Sequence, residues 1–299
     1  MMRIALGANG PIRLDYTLDT GQVFRWRQEA DGRWYGALRG TALALRVVPG
    51  ALEVETAGAP LPEAALRRFL GLDDPLPAIR AHLSRDPVLR RAFAGCYGLR
   101  VVQQDPWEGL VSFICSSHNA IFRIQQMTGC LARLFGQRYQ LGGVTVETFP
   151  APEVLAGLRL AELAPCRLGY RDAYVLEAAR LVASGAIDLG SLVDAPYPVA
   201  REVLLRVPGV GPKVADCVLL LALGKKECGF PIDVWVRRGV LRHYREAIRA
   251  ATGVTLRAED GGLTDREYRA TVRWAQQAFA PYVGYAQAYL FLATRSGLL

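Results

Sequence analysis

The sequence predicts an α+β fold, in which a small N-terminal antiparallel β-sheet domain precedes a two-part all-α body containing a helix-hairpin-helix motif. The first 57 residues hold short apolar stretches separated by Asp-Gly, Arg-Gly and Pro-Gly turns, which is typical of an antiparallel meander. From Glu63 onward, apolar residues recur at the spacing of a helix face. The third observation is the turn Pro208-Gly209-Val210-Gly211, which separates two helical patterns.

Four strands are expected in the sheet domain. Apolar side chains alternate or cluster between turns at residues 23–27, 34–38, 42–48 and 52–55. The sequence Pro-Leu-Pro at residues 60–62 then predicts a linker, because proline disfavours continued strand or helix. Residues 1–60 are therefore assigned to the sheet domain.

Helices are expected through the rest of the chain. Asp105 precedes Pro106, which is typical of a helix start, since aspartate caps free N–H groups and proline suits the first helical position. Apolar spacing predicts further helices that include residues 121–131, 153–168, 172–184, 268–279 and 282–294. We expect residues 61–103 and 226–299 to form one helical domain. Residues 104–225 form the other, ending in the helix-hairpin-helix motif at about 199–224.

The hairpin turn predicts a place for an anion. Pro208 ends the first helix, and Gly209 and Gly211 are expected to take the positive φ values of a sharp reversal. Backbone N–H groups of the turn and of the following helix N-terminus favour negative charge, and a DNA phosphate is the obvious anion for a basic protein. The alternative is a plain connection between packed helices.

Composition favours an acidic partner. The chain has 299 residues and a net charge of +8, and only three of its 36 basic residues are lysines. Arginine suits phosphate recognition, although a compositional bias without functional content is an alternative. The other two lysines, Lys225 and Lys226, follow a glycine that ends a helix and are expected to be solvated charges.

Cysteine and histidine spacing predicts neither a metal site nor a cofactor. No pair among the six cysteines has C-x-x-C spacing, and the three histidines are scattered. The sequence holds no signal-peptide pattern and no apolar run of membrane-spanning length. We expect a monomer that does not bind membranes, located with the nucleoid in the cytoplasm of a bacterium or in the nucleus of a eukaryote.

Lys213 and Asp233 are the candidate catalytic pair. Lys213 lies in the first turn of the helix after the hairpin, and Asp233 occupies the expected N-cap of the next helix. A lysine amine near a carboxylate is suited to nucleophilic catalysis. The alternative is a lysine that contacts phosphate and an aspartate that only caps a helix.

Five stretches carry a resemblance to a known family. They are Gly21–Trp26 (GQVFRW), Gln104–Ser117 (QDPWEGLVSFICSS), Gly169–Arg171 (GYR), Val207–Asp233 and Tyr285–Phe291 (YAQAYLF). In this order they resemble the 8-oxoguanine DNA glycosylase/AP lyases of the helix-hairpin-helix superfamily. The resemblance implies excision of 8-oxoguanine from duplex DNA by base flipping. Lys213 would attack C1′ to form a Schiff base, β-elimination would follow, and Asp233 would assist.

The resemblance also implies a base pocket. Cys217 and Phe291 would sandwich the flipped base, Gln287 would bind its pairing edge, and the Gly21 carbonyl would accept the N7–H that guanine lacks. Spacing agrees, because Lys213 and Cys217 share one helix face, as do Gln287 and Phe291. Ordinary helix packing, or a plain turn at Gly21, is the alternative.

Further matches imply contacts with DNA outside the pocket. The turn residues Gly209, Val210 and Gly211 would contact a DNA phosphate, and Tyr170 would insert into the base stack. The DNA strand opposite the lesion would be contacted by four further residues: His118, Asn119, Arg123 and Arg171. Three positions depart from the family pattern, which usually has Asn at His118, His at Trp235 in eukaryotic members, and Asp at Thr294. His118 is alternatively a surface histidine without a role.

Two other functions remain open on the sequence. A monofunctional alkylpurine DNA glycosylase of the same superfamily would release its base without strand cleavage, but would leave Lys213 unexplained. A non-enzymatic helix-hairpin-helix DNA-binding protein would leave the Gln287 and Phe291 face unexplained.

Overall fold

A computed structural model of the protein describes residues 2–7, 9–257 and 262–299. It confirms the α+β class, with a five-stranded antiparallel sheet at the N-terminus and a largely helical body. The strands have the spatial order β1-β5-β4-β3-β2. Their bounds are β1 Met2–Ala5, β2 Arg27–Gln28, β3 Trp34–Leu38, β4 Thr41–Val48 and β5 Ala51–Gly58, and helix α1 spans Leu14–Leu18.

The helical body begins at Glu63. Its first half holds α2 Glu63–Phe69, α3 Leu76–Leu83, α4 Pro87–Cys96, α5 Pro106–Cys115, α6 Ile121–Phe135, α7 Pro152–Ala156, a 3₁₀ helix Leu160–Cys166 and α8 Arg171–Ala183. Its second half holds α9 Ser191–Asp194, α10 Tyr197–Leu204, α11 Pro212–Leu221, α12 Val234–His243, α13 Arg245–Thr252, α14 Asp265–Ala278 and α15 Val283–Arg295. One hydrophobic core runs through the sheet and both halves, so the domain boundaries at 60, 103 and 225 stay predictions.

The sheet differs from the expected meander near its start. Residues 23–26 form an irregular segment and not a strand, because only Arg27 and Gln28 pair with β3. Phe24 and Trp26 of this segment are nevertheless buried in the core. Helix α1 and strand β1 were also absent from the prediction. In β3 every residue is buried, since Trp34 faces the helices while Tyr35 packs beneath a second sheet.

That second sheet corrects the expectation of an all-α body. Strands β6 Arg138–Leu141 and β7 Val144–Glu147 form a hairpin whose Leu141 and Val146 cover the outer face of the main sheet. Its turn is Gly142-Gly143, with φ of +56° and +80°, which favours glycine. The hairpin buries apolar side chains of the main sheet that would otherwise meet water.

The helix predicted at 153–168 is wrong as a single element. The chain leaves the helical path after Ala156 and resumes as the 3₁₀ helix Leu160–Cys166. Gly157 and Pro165 lie in this stretch, and both residue types disfavour a continuous α-helix. The apolar spacing survives the break because Leu155 and Leu163 still reach the core.

A buried arginine ties the N-terminal segment to the body. Arg100 is 1% exposed, and its guanidinium donates to the carbonyls of Asn9, Gly10, Pro11, Gly71 and Asp74 at 2.7–3.0 Å. Each carbonyl supplies an acceptor that a buried cation requires. The sequence offered no signal for these contacts, because their partners lie up to 91 positions away.

Candidate functional site

The turn of the helix-hairpin-helix motif, residues 208–211, lies at one edge of a cleft between the helices. Gly209 has φ +83°, and a Cβ there would lie 2.7 Å from the Tyr174 ring, so both conformation and packing require glycine. Gly211 contradicts the prediction, because its φ is −91° and it is the N-cap of α11. A Cβ at Gly211 would meet nothing within 4 Å, so contacts within the protein do not explain this glycine.

The cleft contains a cavity of about 660 Å³. Nine of the fourteen predicted site residues line it: Gly21, His118, Asn119, Gly211, Lys213, Cys217, Asp233, Gln287 and Phe291. The five that do not are Arg123, Tyr170, Arg171, Gly209 and Val210. The predicted catalytic pair and the whole predicted base pocket therefore face one space.

Lys213 is half-buried at the start of α11. Its Nζ donates to Ser116 Oγ at 2.9 Å and lies 5.9 Å from the centre of the Phe113 ring. Ser116 Oγ in turn donates to the Phe113 carbonyl at 2.7 Å, which leaves its lone pairs facing the amine. No carboxylate of the described residues lies within ion-pairing distance of Lys213, so a polar but neutral partner holds the amine.

Asp233 caps α12. Its Oδ1 accepts from the backbone N–H groups of Trp235 and Val236 at 3.0 and 2.8 Å. Oδ2 accepts no hydrogen bond from the described residues, so one carboxylate oxygen is left for a ligand. Burial raises the pKa of Asp233, while the N–H donors and the charges of Lys213 and Arg295 act in the opposite direction.

The base-pocket residues are positioned by long-range contacts. Gln287 Nε2 donates to the Pro231 carbonyl at 3.0 Å, which leaves its Oε1 available. Burial raises the pKa of Cys217 to about 11, against the lowering effect of Lys213, so this residue is a neutral thiol near pH 7. A neutral thiol is suited to packing against a base.

Gly21 is held in place by two glutamines. Its φ is +86°, and a Cβ would lie 2.9 Å from Ile121. The neighbouring Gln22 donates to the Arg100 carbonyl at 2.9 Å, and its own carbonyl accepts from Gln104 at 2.9 Å. The Gly21 turn is thereby fixed at the wall of the cavity.

The residues predicted to contact DNA beyond the base pocket are anchored by hydrogen bonds to nearby carbonyls. Tyr170 is 55% exposed, with the Arg171 guanidinium 4.3 Å from its ring centre. Arg171 is buried. Its Nε donates to the Ser117 carbonyl and its Nη1 to the Leu168 carbonyl, both at 3.2 Å. Asn119 donates to the Cys115 carbonyl at 3.1 Å. In this conformation the Arg171 and Asn119 side chains hold the loop around His118 in place.

His118 takes a left-handed conformation, with φ +49°. Few residues other than glycine tolerate this region, and Asn and His are among the enriched ones. The backbone therefore explains why His stands where the family pattern usually has Asn. Arg123 contacts Gln126 on the exposed side of α6.

Two predictions about lysines are corrected by the structure. Lys226 Nζ pairs with Asp74 at 2.5 Å, and Lys225 Nζ donates to the Val193 carbonyl at 2.5 Å. Both are partly buried and engaged, and neither lines the cavity. Ser116, Pro231 and Tyr268 were missed among the residues that form or support the site.

Among the described residues no group of three His, Cys, Asp or Glu side chains is placed to hold a metal ion. Within the same ranges, none of the helices combines the length and the apolar character needed to span a membrane.

Comparisons with known proteins identify relatives. Residues 5–110 match the family model of the 8-oxoguanine DNA glycosylase N-terminal domain. A probable N-glycosylase/DNA lyase of Methanothermobacter thermautotrophicus is 35% identical over 223 residues, covering 68% of this chain and 65% of the relative. The N-glycosylase/DNA lyase of Saccharomyces cerevisiae is 34% identical over 65% of this chain and 56% of its own. The chain thus spans about two thirds or less of these two relatives.

Solved structures match over nearly the whole chain. The structure of MBOgg1 in complex with a low affinity DNA ligand has a TM-score of 0.85 and 32% identity, covering 99% of this chain and 95% of that one. A Clostridium acetobutylicum 8-oxoguanine glycosylase/lyase bound to DNA has a TM-score of 0.84, covering 97% and 94% of the two chains, and at 24% identity indicates the fold alone. A DNA-3-methyladenine glycosylase of Bacillus subtilis is 26% identical over 56% of each chain.

Proposed function

The chain belongs to the 8-oxoguanine DNA glycosylase/AP lyase family of the helix-hairpin-helix superfamily, and we propose from this premise that it excises 8-oxoguanine from duplex DNA and then nicks the strand. One observation carries the proposal: Lys213 and Asp233 open into the same cavity as Cys217, Gln287 and Phe291. The proposed partner is double-stranded DNA with an oxidised guanine, met in the nucleoid or the nucleus.

The proposed chemistry starts at the amine of Lys213. Its lone pair forms a bond to C1′ while the C1′–N9 bond breaks, and the departing base takes the electron pair and a proton. Nζ then loses one proton, and its lone pair expels the ring oxygen O4′, which takes up a proton, so that the sugar ring opens and a protonated Schiff base remains. Removal of a C2′ proton expels the 3′ phosphate, which cleaves the strand.

Asp233 is proposed to stabilise positive charge as it develops on the sugar. Its free Oδ2 is the group that would face this charge, because Oδ1 is held by the α12 N-terminus. The same side chain caps the helix, so the catalytic and structural roles coexist. They separate in variants, since asparagine caps a helix about as well as aspartate but carries no charge.

Asp233→Asn is expected to lower the single-turnover excision rate by about 10²–10³-fold with little change in melting temperature. Asp233→Ala should also lose the cap, at about 1 kcal/mol. Because burial raises the pKa of Asp233, the wild-type rate should fall with decreasing pH from a higher pH than for an exposed aspartate. The Asn variant should lack this acidic limb. Wild-type rates in the Asn variant would remove Asp233 from the mechanism.

Gln287 is proposed to bind the pairing edge of the flipped base through Oε1. Gln287→Ala is expected to slow 8-oxoguanine excision by about 10-fold, since the base loses a buried hydrogen-bond partner. Cleavage at a preformed abasic site should stay within twofold of wild type, because that substrate has no base to bind. An equal loss on both substrates would show that the substitution disturbs the helix and not base recognition.

The activity itself is tested by single-turnover reactions on duplexes with one 8-oxoguanine. We expect release of the free base together with a strand nick that needs no alkali. Release of methylated adenine without a nick would favour the alkylpurine glycosylase alternative, and binding without either product would favour the non-enzymatic one. Neither alternative uses the placement of Lys213 in the cavity.

A further inference from the structure

Arg237 is a cavity residue that the proposed chemistry does not use. It lies on α12, four positions after Asp233, so both residues are on one face of the helix. It lines the cavity together with Lys213 and Asp233. Its Nε is buried and has no hydrogen-bond partner in residues 2–7, 9–257 and 262–299.

A guanidinium in this position needs an acceptor. Burying part of a charged donor without a partner is unfavourable, and the arrangement becomes favourable when a ligand supplies negative charge. Asp233 does not supply it here: its Oδ1 is held by the N–H groups of Trp235 and Val236, and its free Oδ2 makes no hydrogen bond with Arg237 Nε. The acceptor is therefore expected from the molecule that enters the cleft.

DNA brings two kinds of acceptor to the cleft. The edges of the base are neutral, and Gln287 and the Gly21 carbonyl are already proposed to bind them. The phosphates are anionic and match the planar fork of arginine. The neighbouring Trp235 has no charge with which to bind a phosphate. The Arg238 guanidinium lies over its ring, 4.6 Å from the ring centre.

We propose that Arg237 binds a backbone phosphate of the lesion strand next to the flipped nucleotide, and so helps to hold that nucleotide in the cavity. The inference rests on the proposed function in requiring a lesion-containing duplex as ligand. Arg237 is thus a binding residue beside the catalytic pair, at a position outside the five motifs that carry the family resemblance.

The test measures binding to a duplex with a stable abasic-site analogue over a series of salt concentrations. Arg237→Gln is expected to weaken binding about 10-fold and to reduce the slope of log K against log salt by about one. Arg237→Lys, which keeps the charge, should preserve the slope. Arg242→Gln is the matched control, because this arginine lies on the same helix but donates to the Leu299 carbonyl at 2.8 Å, outside the cavity.

The phosphate is located by replacing each lesion-flanking phosphate in turn with an uncharged methylphosphonate. One replacement should weaken wild-type binding about 10-fold and leave Arg237→Gln unaffected, since the two changes remove the same contact. The inference would be overturned if Arg237→Gln and Arg242→Gln had the same slope of log K against log salt. It would also be overturned if Arg237→Gln lost excision activity without losing affinity for the duplex. Absence of lesion-duplex binding by the wild-type protein would instead contradict the proposed function.

Discussion

Replacing Lys213 with glutamine is expected to abolish the covalent complex that borohydride traps on 8-oxoguanine duplexes. The glutamine amide has no nucleophilic lone pair, so neither attack on C1′ nor a Schiff base is available to it. Excision should fall by at least about 10³-fold, as expected when a nucleophile is removed from a cooperating set of groups. Glutamine can still donate to Ser116 Oγ, which accepts from Lys213 at 2.9 Å, so the local packing should persist.

The control for this experiment is unusually clean because the chain has three lysines. Lys225→Gln removes the same charge from a lysine whose Nζ donates to the Val193 carbonyl, outside the cavity. This variant should give wild-type trapping and excision. A trapped complex of undiminished yield in Lys213→Gln would contradict the assignment, and mapping the modified peptide would then identify the amine responsible.

Asp216→Ala is expected to lower the free energy of unfolding by about 3–5 kcal/mol, measured by urea denaturation. Asp216 is fully buried and accepts from Tyr197 at 2.8 Å, Arg201 at 3.0 Å and Tyr268 at 2.7 Å. Removing the carboxylate leaves the partly buried guanidinium of Arg201 and two hydroxyls without their acceptor. The loss is therefore larger than for a surface ion pair.

Smaller substitutions divide this expected loss. Tyr197→Phe and Tyr268→Phe each remove one donor and should cost about 1 kcal/mol, because Asp216 keeps two partners in either variant. A loss below about 1 kcal/mol in Asp216→Ala would contradict the network's importance. Asp216 precedes Cys217 on α11, and Tyr268 lines the cavity, so the same network also supports the wall of the predicted base pocket.

The sequence determined the features that depend on neighbours in the chain. Capping by Asp105 and Asp233 is confirmed, because an aspartate needs only the N–H groups two and three positions later. The fold class is confirmed as well, since apolar periodicity reports which face of an element is buried. Helix spacing likewise placed Gln287 and Phe291 on one wall of the cavity.

Only the tertiary structure decided the features that depend on distant partners. Gln104 supports the Gly21 turn by donating to the Gln22 carbonyl across 82 positions, and Arg100 binds carbonyls of two loop stretches, residues 9–11 and 71–74. No local sequence pattern predicts either set of contacts. The buried, unpartnered Nε of Arg237 is visible only once helices pack around it. The physical reason is that a hydrogen bond or a buried charge is defined by the space around it, which sequence spacing alone does not describe.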